Sequence, residues 1–451
     1  MNAIGLDIGT TTLSAVVADP EGRVLEAVTL ESGADISSGQ PGARLQDPEA
    51  IFEKARALID GLMARHAKVG AIGLDGQMHG MLYVDGEGRA VSSLATWQDG
   101  RGDLPFGGGT YASELTKRTG CPMATGFGLT THFWNAENGL VPEGAARVAT
   151  IADYVAMRLA GRAEPVIHAT NAASMGLFDL PTRDWDDLAV ANAGIDRGIL
   201  PEVEEGVRAL GDYRGAAVSV ALGDNQASFI GSVRDMERTA LVNMGTGGQI
   251  SMMSDAAGAL TEAERRPLLS GQYLLVGSSL CGGRAYAILE KFLRSCARLS
   301  GCEPEERLYA VMNEAGMAAL AMPDNPRVSP RFSGTRKNPA LRGEITGIST
   351  ENFDAGRLIG GTLQGMAAEL FDIYREMLRA GAKMPDKLVG SGNGIRKNPA
   401  LRRAFELAFG MPLLVPAHDE EAAFGAALYG MAAAGLTPTL AAAQALIRYE
   451  G

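Results

Sequence analysis

The chain has 451 residues, of which 46% are hydrophobic and 21% charged, and its formal net charge is −12 at pH 7. Such a length and composition are typical of a globular protein with two or three domains. The acidic balance argues against a nucleic-acid-binding protein, which would need a basic surface.

The cysteines and the chain ends add little to this outline. The four cysteines contain no C-x-x-C pair, so neither a disulfide nor a zinc framework is expected, and a reducing, cytoplasmic setting fits. No basic segment with an apolar core opens the chain, so no signal peptide is expected.

Residues 422–447 carry no charge, but they are mostly Ala and Gly and are interrupted by Pro438. Ala and Gly contribute little to the free energy of transfer from water into a membrane. Two packed helices are therefore predicted there, and no association with a membrane is expected.

The N-terminal region predicts a meander of three strands, over 3–8, 13–19 and 24–29. A helix is predicted from a cap at Asp47 to about His66, followed by an apolar strand over 69–74. The order of three strands, a helix and a strand differs from the alternating pattern of a dinucleotide-binding fold.

The first turn of this meander contains Gly9, Thr10 and Thr11. Backbone N–H groups and hydroxyls in such a turn are donors suited to phosphate oxygens. Asp7 precedes the turn and could hold Mg²⁺ through water, since Mg²⁺ prefers carboxylate and water oxygens. A plain glycine hairpin is the alternative interpretation.

Two polar loops follow the strand over 69–74. Gln77 and His79 lie at the end of that strand, where ligands bind to α/β sheets, although a lone loop histidine is more often a surface residue. Trp97, Asp99 and Arg101 suit a polyol, with an aromatic ring under a sugar face and charged groups that bind hydroxyls. Alternatively, Trp97 belongs to the core and the two charged residues form a surface pair.

Residues 102–215 are irregular and resemble an insertion, in which 171–176 predict a small-residue turn. A buried strand over 216–222 then leads into Gly223, Asp224 and a helix over 225–231. Asp224 could be the N-cap of this helix or a ligand-binding carboxylate at the end of a sheet. Because a helix N-terminus favours the ionised carboxylate, Asp224 is expected to be charged at neutral pH and only weakly basic.

The second half of the chain repeats the opening pattern. Residues 239–253 predict a strand, a turn and a strand, and the turn contains Gly245, Thr246, Gly247 and Gly248. A third strand over 273–276 and a helix over about 284–299 follow. Two such turns facing each other across a cleft would clamp a polyphosphate from both sides.

A glycine-rich turn follows the strand that begins at residue 387. Gly390, Gly392 and Asn393 would let a flat ring or a phosphate approach the backbone closely, or they simply lead into the helix over about 399–409.

Residues 394–402 repeat 334–342 at all but one position, and no mechanism requires this match. The chain contains no P-loop motif and no protein-kinase motifs.

Taken in order, these motifs resemble those of the FGGY carbohydrate kinases, which belong to the actin, hexokinase and Hsp70 ATPase superfamily. The phosphate motifs are Asp7 to Thr11 and Asn243 to Gly248, and the adenosine motif is Gly390 to Asn393. Gly223 to Asn225 resemble the catalytic segment of the family, and Gln77 to Gly80 resemble the substrate loop of its xylulokinases. The likeness covers nearly the whole chain.

The resemblance implies an α/β protein with two ribonuclease H-like domains, residues 1–235 and 236–451, and a cleft between them. The first domain would bind the sugar and carry Asp224 as the general base, and the second would bind ATP. Mg²⁺ would lie near Asp7 and Asp224. The residues implied to bind the sugar are Gln77, Met78, His79, Trp97, Asp99, Arg101, Asp224 and Asn225. Those implied to bind ATP are Gly9, Thr10, Thr11, Gly245, Thr246, Gly247, Gly248, Gly390, Gly392 and Asn393.

The substrate suggested by the resemblance is a ketose phosphorylated at its terminal primary hydroxyl. Residues 97–101, 124–128 and 171–178 resemble the members that act on sedoheptulose, which makes O7 of this sugar the best candidate. A pentulose kinase, or an actin- or Hsp70-like ATPase without a sugar, are the alternatives. Asn393 and Gly247 depart from the Ala and the Ser or Thr that are usual in the family, which leaves the nucleotide preference open. A monomer or homodimer is expected.

Overall fold

The computed structural model of the chain describes residues 1–255, 258–269, 271–302, 304 and 306–450. The chain forms two compact units. The first contains residues 1–234, 266–272 and 420–447, and the second contains 235–265, 273–419 and 448–451. The first unit therefore ends one residue before the predicted boundary, but it also recruits two later segments.

A seven-stranded mixed sheet forms the centre of the first unit, and it contains the predicted meander. In spatial order the strands are Ala209–Tyr213, Ala216–Ser219, Val69–Gly76, Asn2–Ile8, Thr12–Ala18 and Val24–Glu31, while Leu222–Gly223 pairs with Val69–Gly76. Val69–Gly76 lies parallel to Asn2–Ile8 and is buried throughout, as expected for a strand covered on both faces.

The other strands of the first unit form smaller sheets. A five-stranded sheet has the order Arg147–Ala149, Gly80–Val84, Leu94–Thr96, Leu45–Gln46 and Asp35–Ile36. The two-stranded pairs are Pro105–Phe106 with Gly109–Thr110, Val166–His168 with Glu202–Glu204, and Phe178–Asp179 with Asp184–Trp185.

The helices of the first unit follow the predicted caps where the sequence signals are strong. Asp47 caps the first helix by accepting hydrogen bonds from the N–H groups of Glu49 and Ala50. The α-helices are Pro48–Arg65, Tyr111–Thr119, Gly128–Glu137, Ile151–Leu159, Ala169–Met175, Asp187–Asn192, Asp224–Ser232, Glu421–Ala433 and Leu440–Gln444. Short 3₁₀ turns span Arg101–Asp103 and Arg197–Ile199.

The Ala/Gly-rich segment forms two helices, as predicted, and Glu421–Ala433 packs on the central sheet of the first unit. Gly5 and Gly73 are paired in neighbouring strands. A Cβ atom at Gly5 would lie 1.7 Å from the Ala423 carbonyl oxygen, and one at Gly73 would lie 1.7 Å from that of Ala426. The close approach of this helix therefore explains its small residues. Within the described ranges, no helix is both long and apolar enough to cross a membrane.

The second unit has its own sheet, with the predicted strand–turn–strand pattern at its centre. The strand order is Ala263–Pro267, Tyr273–Ser279, Gly248–Ser254, Thr239–Met244, Lys387–Ser391 and Leu413–Leu414. A further pair joins Arg327–Ser329 and Glu344–Thr346. The α-helices are Gly282–Leu299, Tyr309–Leu320, Ala355–Arg379, Asn393–Lys397 and Pro399–Phe409, and a 3₁₀ turn spans Met236–Arg238.

Two local predictions were wrong. The segment predicted as a small-residue turn over 171–176 lies largely in a helix, Ala169–Met175, because its side chains and backbone are held by buried polar partners. The strand predicted over 216–222 is interrupted at Val220 and Ala221. A mixed α/β fold with two domains was predicted correctly.

Candidate active site

Asp224 is the first residue of helix Asp224–Ser232, and Gly223 occupies the N-cap position. The Oδ1 atom of Asp224 accepts a hydrogen bond of 2.6 Å from the N–H of Asn225. Leu222 and Gly223 pair in parallel with Asp75 and Gly76. The alternative that Asp224 is only an N-cap was therefore wrong, and its solvent-exposed carboxylate lies at the end of the central sheet.

A second carboxyl group, that of Asp75, lies beside Asp7. The two residues are direct partners in adjacent parallel strands, and Asp75 is fully buried. Among the residues that the structure describes, no fixed hydrogen-bond donor reaches either carboxylate oxygen of Asp75. A buried carboxyl group without such donors, beside a second carboxyl group, either shares a proton with it or binds a cation.

This pair fits the Mg²⁺ ion that the motifs imply. Mg²⁺ takes hard oxygen ligands and is usually held by one or two carboxylates together with water and phosphate oxygens. Asp7 and Asp75 supply carboxylate oxygens, and the oxygens of Asp75 have no competing donor. In the described ranges, no group of three or more His, Cys, Asp or Glu residues forms a dedicated metal cage.

The pKa values of Asp7 and Asp75 are both raised, chiefly by desolvation. Desolvation, then the charge of Asp224 and more weakly that of Glu420, raise the pKa of Asp7 to about 7, although a proton shared with Asp75 acts in the opposite direction. Desolvation, followed by the charges of Asp7 and Asp224, holds the pKa of Asp75 well above its usual range.

The pKa of Asp224 corrects the expectation of a weak base. Protein atoms crowd the exposed carboxylate, and this desolvation raises its pKa to about 6. The hydrogen bond from the Asn225 N–H and the positive charge of Arg266 act in the opposite direction. Desolvation outweighs the helix N-terminus, so Asp224 is ionised at neutral pH yet basic enough to accept a proton.

The first Gly/Thr turn is connected to both polar loops by hydrogen bonds. Thr10 Oγ1 accepts a 2.9 Å bond from Trp97 Nε1 and donates a 3.3 Å bond to Gln77 Oε1. The Trp97 side chain is 50% exposed. The alternative that Trp97 is a core residue was wrong, and its ring is available to a ligand.

His79 and Met78 lie on the same loop as Gln77 but have different surroundings. His79 Nδ1 is 2.6 Å from the Ser174 carbonyl oxygen, and its ring stacks on Phe127 at 4.9 Å. Met78 is buried, and a Cβ atom at Gly223 would lie 2.8 Å from its Cγ atom. Met78 therefore packs under the segment that carries Asp224.

Asp99 and Arg101 form a buried ion pair, which is neither the surface pair nor the pair of free sugar ligands considered from the sequence. Arg101 Nε donates to both oxygens of Asp99, at 2.9 and 3.0 Å, and the Arg101 guanidinium lies over the Trp134 ring at 4.7 Å. Asp99 also accepts the backbone N–H of Arg44. Both side chains are at most 5% exposed, so they support the Trp97 loop from within.

A cavity of ≈ 690 Å³ lies in the second unit. It brings together Gly245 and Thr246 of the second Gly/Thr turn with Asn393 of the glycine-rich turn. The other residues that line it are Gly283, Arg284, Tyr286, Ala287, Tyr309, Asn313, Met366, Gly394, Lys397, Asn398 and Leu401. The rings of Tyr286 and Tyr309 are stacked with centroids 6.0 Å apart.

The remaining glycines of these two turns serve mainly to bring the backbone segments together. A Cβ atom at Gly392, where φ is 81°, would lie 2.8 Å from the Met244 carbonyl oxygen. Gly390 is buried, and a Cβ atom there would lie 2.6 Å from Leu413. Gly247 and Gly248 approach helix Gly282–Leu299 and Met244, respectively. None of these four glycines lines the cavity.

Sequence reasoning missed three kinds of site residue. Asp75 was visible as a carboxylate at the end of a buried strand, but its pairing with Asp7 follows from strand register. Arg266 lies in strand Ala263–Pro267, a distant segment of the sequence, and its Nη1 is 3.5 Å from Asn225 Oδ1. Tyr286 and Asn313, which line the second-unit cavity and are joined by a 2.9 Å hydrogen bond, gave no signal in the sequence.

The sequence matches both domain patterns of one family. The pattern of the N-terminal domain of the FGGY family of carbohydrate kinases matches residues 2–242. The pattern of the C-terminal domain matches residues 240–434.

Individual relatives agree with these matches. Sedoheptulokinase from Mus musculus is 29% identical over 94% of this chain and 96% of its own length. The xylulose kinase structure from Rhodospirillum rubrum has a TM-score of 0.84 at 23% identity, covering 100% of this chain and 93% of that one. Plasmodium falciparum glycerol kinase with ADP has a TM-score of 0.82 at 19% identity, covering 100% of this chain and 93% of that one.

Proposed function

Since the chain belongs to the FGGY family of carbohydrate kinases and is therefore an ATP-dependent sugar kinase, we propose that it transfers the γ-phosphoryl group of ATP to the terminal primary hydroxyl of a ketose. The best candidate for the acceptor is sedoheptulose, at O7, because the mouse protein that is 29% identical over 94% of this chain is named as a sedoheptulokinase.

The observation that carries the mechanism is the Asp224 carboxylate, which is exposed at the end of the central sheet of the first unit with its pKa raised to about 6. In the proposed reaction Asp224 accepts the proton of the sugar hydroxyl while the hydroxyl oxygen bonds to the γ-phosphorus atom and ADP leaves. Orientation and charge stabilisation contribute most of the rate in such transfers. A base that is ionised at pH 7 but not strongly acidic suits this role.

Asp7 and Asp75 are the residues proposed to hold Mg²⁺, with Asp224 adjacent. The ion would neutralise negative charge on the phosphates when it is bound. The Asp7 carboxyl lies directly before Gly9, Thr10 and Thr11, whose turn is proposed to face the transferred phosphoryl group.

The nucleotide is proposed to occupy the second-unit cavity. Gly245 and Thr246, which line this cavity, would contact its phosphates, and Asn393 would contact its adenosine. Gly247, Gly248, Gly390 and Gly392 would contribute only by shaping the two turns. The cavity supports this assignment through its size and its mixed lining, in which Tyr286 and Tyr309 offer apolar surface and Asn313 and Asn393 offer polar groups.

The sugar is proposed to bind beside Gln77, His79, Trp97 and Asn225. The exposed Trp97 ring suits the apolar face of a ketose, while Gln77 and His79 can bind its hydroxyls. Asp99 and Arg101 would act on the sugar only indirectly, because their ion pair is buried under the Trp97 loop.

Sugar-dependent ADP release against a panel of ketoses tests this proposal. Sedoheptulose is expected to give the highest kcat/KM, with a product that carries phosphate at C7 by mass and NMR spectroscopy. Preference for xylulose or ribulose would replace the proposed substrate with a pentulose. ATP hydrolysis that no sugar stimulates, without phosphoryl transfer, would contradict the proposed acceptor class altogether.

A further inference from the structure

The backbone directly before Asp224 leaves the sheet. Strand Ala216–Ser219 stops, and pairing with Val69–Gly76 resumes only at Leu222 and Gly223. A break of this kind frees buried backbone donors and acceptors, which must find other partners. Ala221 is fully buried, so bulk water does not supply hydrogen-bond partners for its backbone groups.

Two side chains of helix Ala169–Met175 take up the freed backbone groups. Thr170 Oγ1 accepts a 3.0 Å hydrogen bond from the N–H of Gly223, the residue that caps the helix of Asp224. Asn171 Nδ2 donates a 3.2 Å bond to the carbonyl oxygen of Ala221. Thr170 and Asn171 are both fully buried.

Further buried groups fix the orientation of these two side chains. Asn171 Nδ2 also donates to Asp153 Oδ1 at 3.2 Å, and the other oxygen of Asp153 accepts a 2.6 Å bond from Thr150 Oγ1. His168 Nδ1 accepts the backbone N–H of Thr170 and lies 3.0 Å from its hydroxyl. Because burial lowers the pKa of His168 to about 4, the ring is neutral, and the Thr170 hydroxyl donates to Nδ1.

The same short helix also contacts the predicted sugar loop. The carbonyl oxygen of Ser174, near the end of the helix, is the partner of His79 Nδ1. One short helix thus contacts both the backbone that carries Asp224 and the histidine beside the proposed sugar position.

We propose that Thr170 and Asn171 are positioning residues for Asp224, an inference that rests on the proposed role of Asp224 as the base. They hold the chain from Ala221 to Gly223 so that the carboxylate meets the acceptor hydroxyl at a productive distance and angle. Neither side chain touches substrate in this role. Their contribution is to orientation, to which phosphoryl transfer is sensitive.

Thr170→Val tests the inference, because valine keeps the shape of threonine but cannot accept the Gly223 N–H. The variant is expected to lose about ten- to a hundredfold in kcat with the preferred ketose, as expected for a slightly displaced catalytic group. The KM for ATP is expected to stay within about twofold of the wild-type value, because the proposed nucleotide site is the cavity of the second unit. Thr170→Ser retains the hydroxyl and is expected to restore most of kcat.

Thr116→Val is the matched control. Thr116 Oγ1 also accepts a backbone N–H from outside its helix, that of Met123 at 2.9 Å, and its other hydrogen bonds go to the carbonyl oxygens of Ala112 and Met123. Its kcat should equal that of the wild type. Amide hydrogen exchange provides a readout without activity, in which the peptide containing Gly223 exchanges faster in Thr170→Val than in the wild type or in Thr116→Val.

Asn171→Ala provides a second variant with the same expected pattern, a lower kcat with an unchanged KM for ATP. If Thr170→Val and Asn171→Ala retain wild-type kcat in an active enzyme, the positioning role is overturned while the proposed function stands. If the wild type itself shows no sugar-dependent ADP release, the proposed function fails, and the inference fails with it.

Discussion

At the scale of single residues, Asp224 combines exposure to solvent with a pKa raised to about 6. An ordinary aspartate with a pKa near 4 would be a poorer proton acceptor at neutral pH. The crowding of protein atoms around the carboxylate thus tunes a common side chain to the proposed reaction.

Replacement of this base should remove turnover without removing the nucleotide. Asp224→Asn is expected to lower kcat by roughly two to four orders of magnitude, the usual contribution of a general base, while the Kd for ATP changes little. Steady-state kinetics and calorimetric titration measure the two effects. Asp372→Asn, which alters an exposed carboxylate on a helix of the second unit, is the control. Near-normal turnover in Asp224→Asn would refute the assignment.

The pH dependence follows from the same group. Only ionised Asp224 can accept the hydroxyl proton, so kcat/KM for the sugar should be flat above about pH 7. It should fall tenfold per pH unit well below the pKa of about 6. A rate profile between pH 5 and 8, with sugar and ATP varied separately, measures this. A profile that stays flat down to pH 5 would show that desolvation does not control this carboxylate.

Asp75 is a residue whose burial costs stability unless a cation is bound. A carboxyl group with a higher pKa in the folded chain contributes stability below its ordinary titration range and loses it as pH rises through the folded-state pKa. Because the pKa of Asp75 is raised in the folded chain, this loss of stability occurs at pH values above the ordinary pKa of 3.8. The folded protein without Mg²⁺ should therefore be destabilised at neutral and alkaline pH.

Asp75→Asn should relieve this cost, because the amide can donate to Asp7 in place of a shared proton. With EDTA at pH 8, the variant is expected to unfold at a temperature about 1–2 °C higher, which corresponds to about 1 kcal/mol for a chain of this length. Added Mg²⁺ should stabilise the wild type more than the variant, as measured by calorimetry. Equal Mg²⁺-dependent shifts in both proteins would exclude Asp75 from the metal site.

At the scale of elements, helix Glu421–Ala433 depends on small residues to reach the sheet of the first unit. Gly5 and Gly73 provide the flat surface beneath it, and Gly425 faces the backbone of Ala227 in helix Asp224–Ser232. Backbone atoms cannot move aside as the tip of a flexible side chain can. The contact is therefore sensitive to single methyl groups.

Gly73→Ala tests this packing, because the added methyl would meet the Ala426 carbonyl group. A loss of at least about 3 kcal/mol in the free energy of unfolding is expected, at the upper end for overpacking. Gly61→Ala is the control, since its Cβ atom would meet only the tip of Arg65 at 3.3 Å, and in a helix this change is neutral or stabilising. Equal stabilities in urea denaturation would contradict the close packing.

At the scale of the whole molecule, the first unit takes residues from three separate stretches of the chain. Residues 420–447 lie far from the N-terminal region in sequence, yet Phe424, Ala427 and Leu428 are fully buried in this unit. The core that surrounds the proposed base is thus completed by the C-terminal part of the chain.

A fragment of residues 1–234 should therefore not form a stable unit alone, because the sheet face under helix Glu421–Ala433 would be exposed. The fragment is expected to aggregate or to lack a cooperative unfolding transition. Joining residues 420–447 to it through a flexible linker should restore a cooperative transition, as followed by circular dichroism. A cooperative transition in the fragment alone would show that the C-terminal helix is dispensable.

The sequence by itself determined the local elements, and it named candidate site residues whose roles stay predictions. Asp47 capped its helix as predicted, and both Gly/Thr turns joined the predicted strands, because capping and turn formation depend on neighbouring residues. The ordered motifs also indicated the family that the domain matches then showed. The role of Asp224 stays a prediction.

Only the tertiary structure decided how distant groups meet. Asp75 lies beside Asp7 because two strands pair in one particular register, and Asp99 binds Arg101 in the interior because a loop folds inward. The pKa of Asp224 rose because desolvation outweighed its local helix position. Register, burial and desolvation depend on segments far apart in the sequence, so no local pattern could determine them.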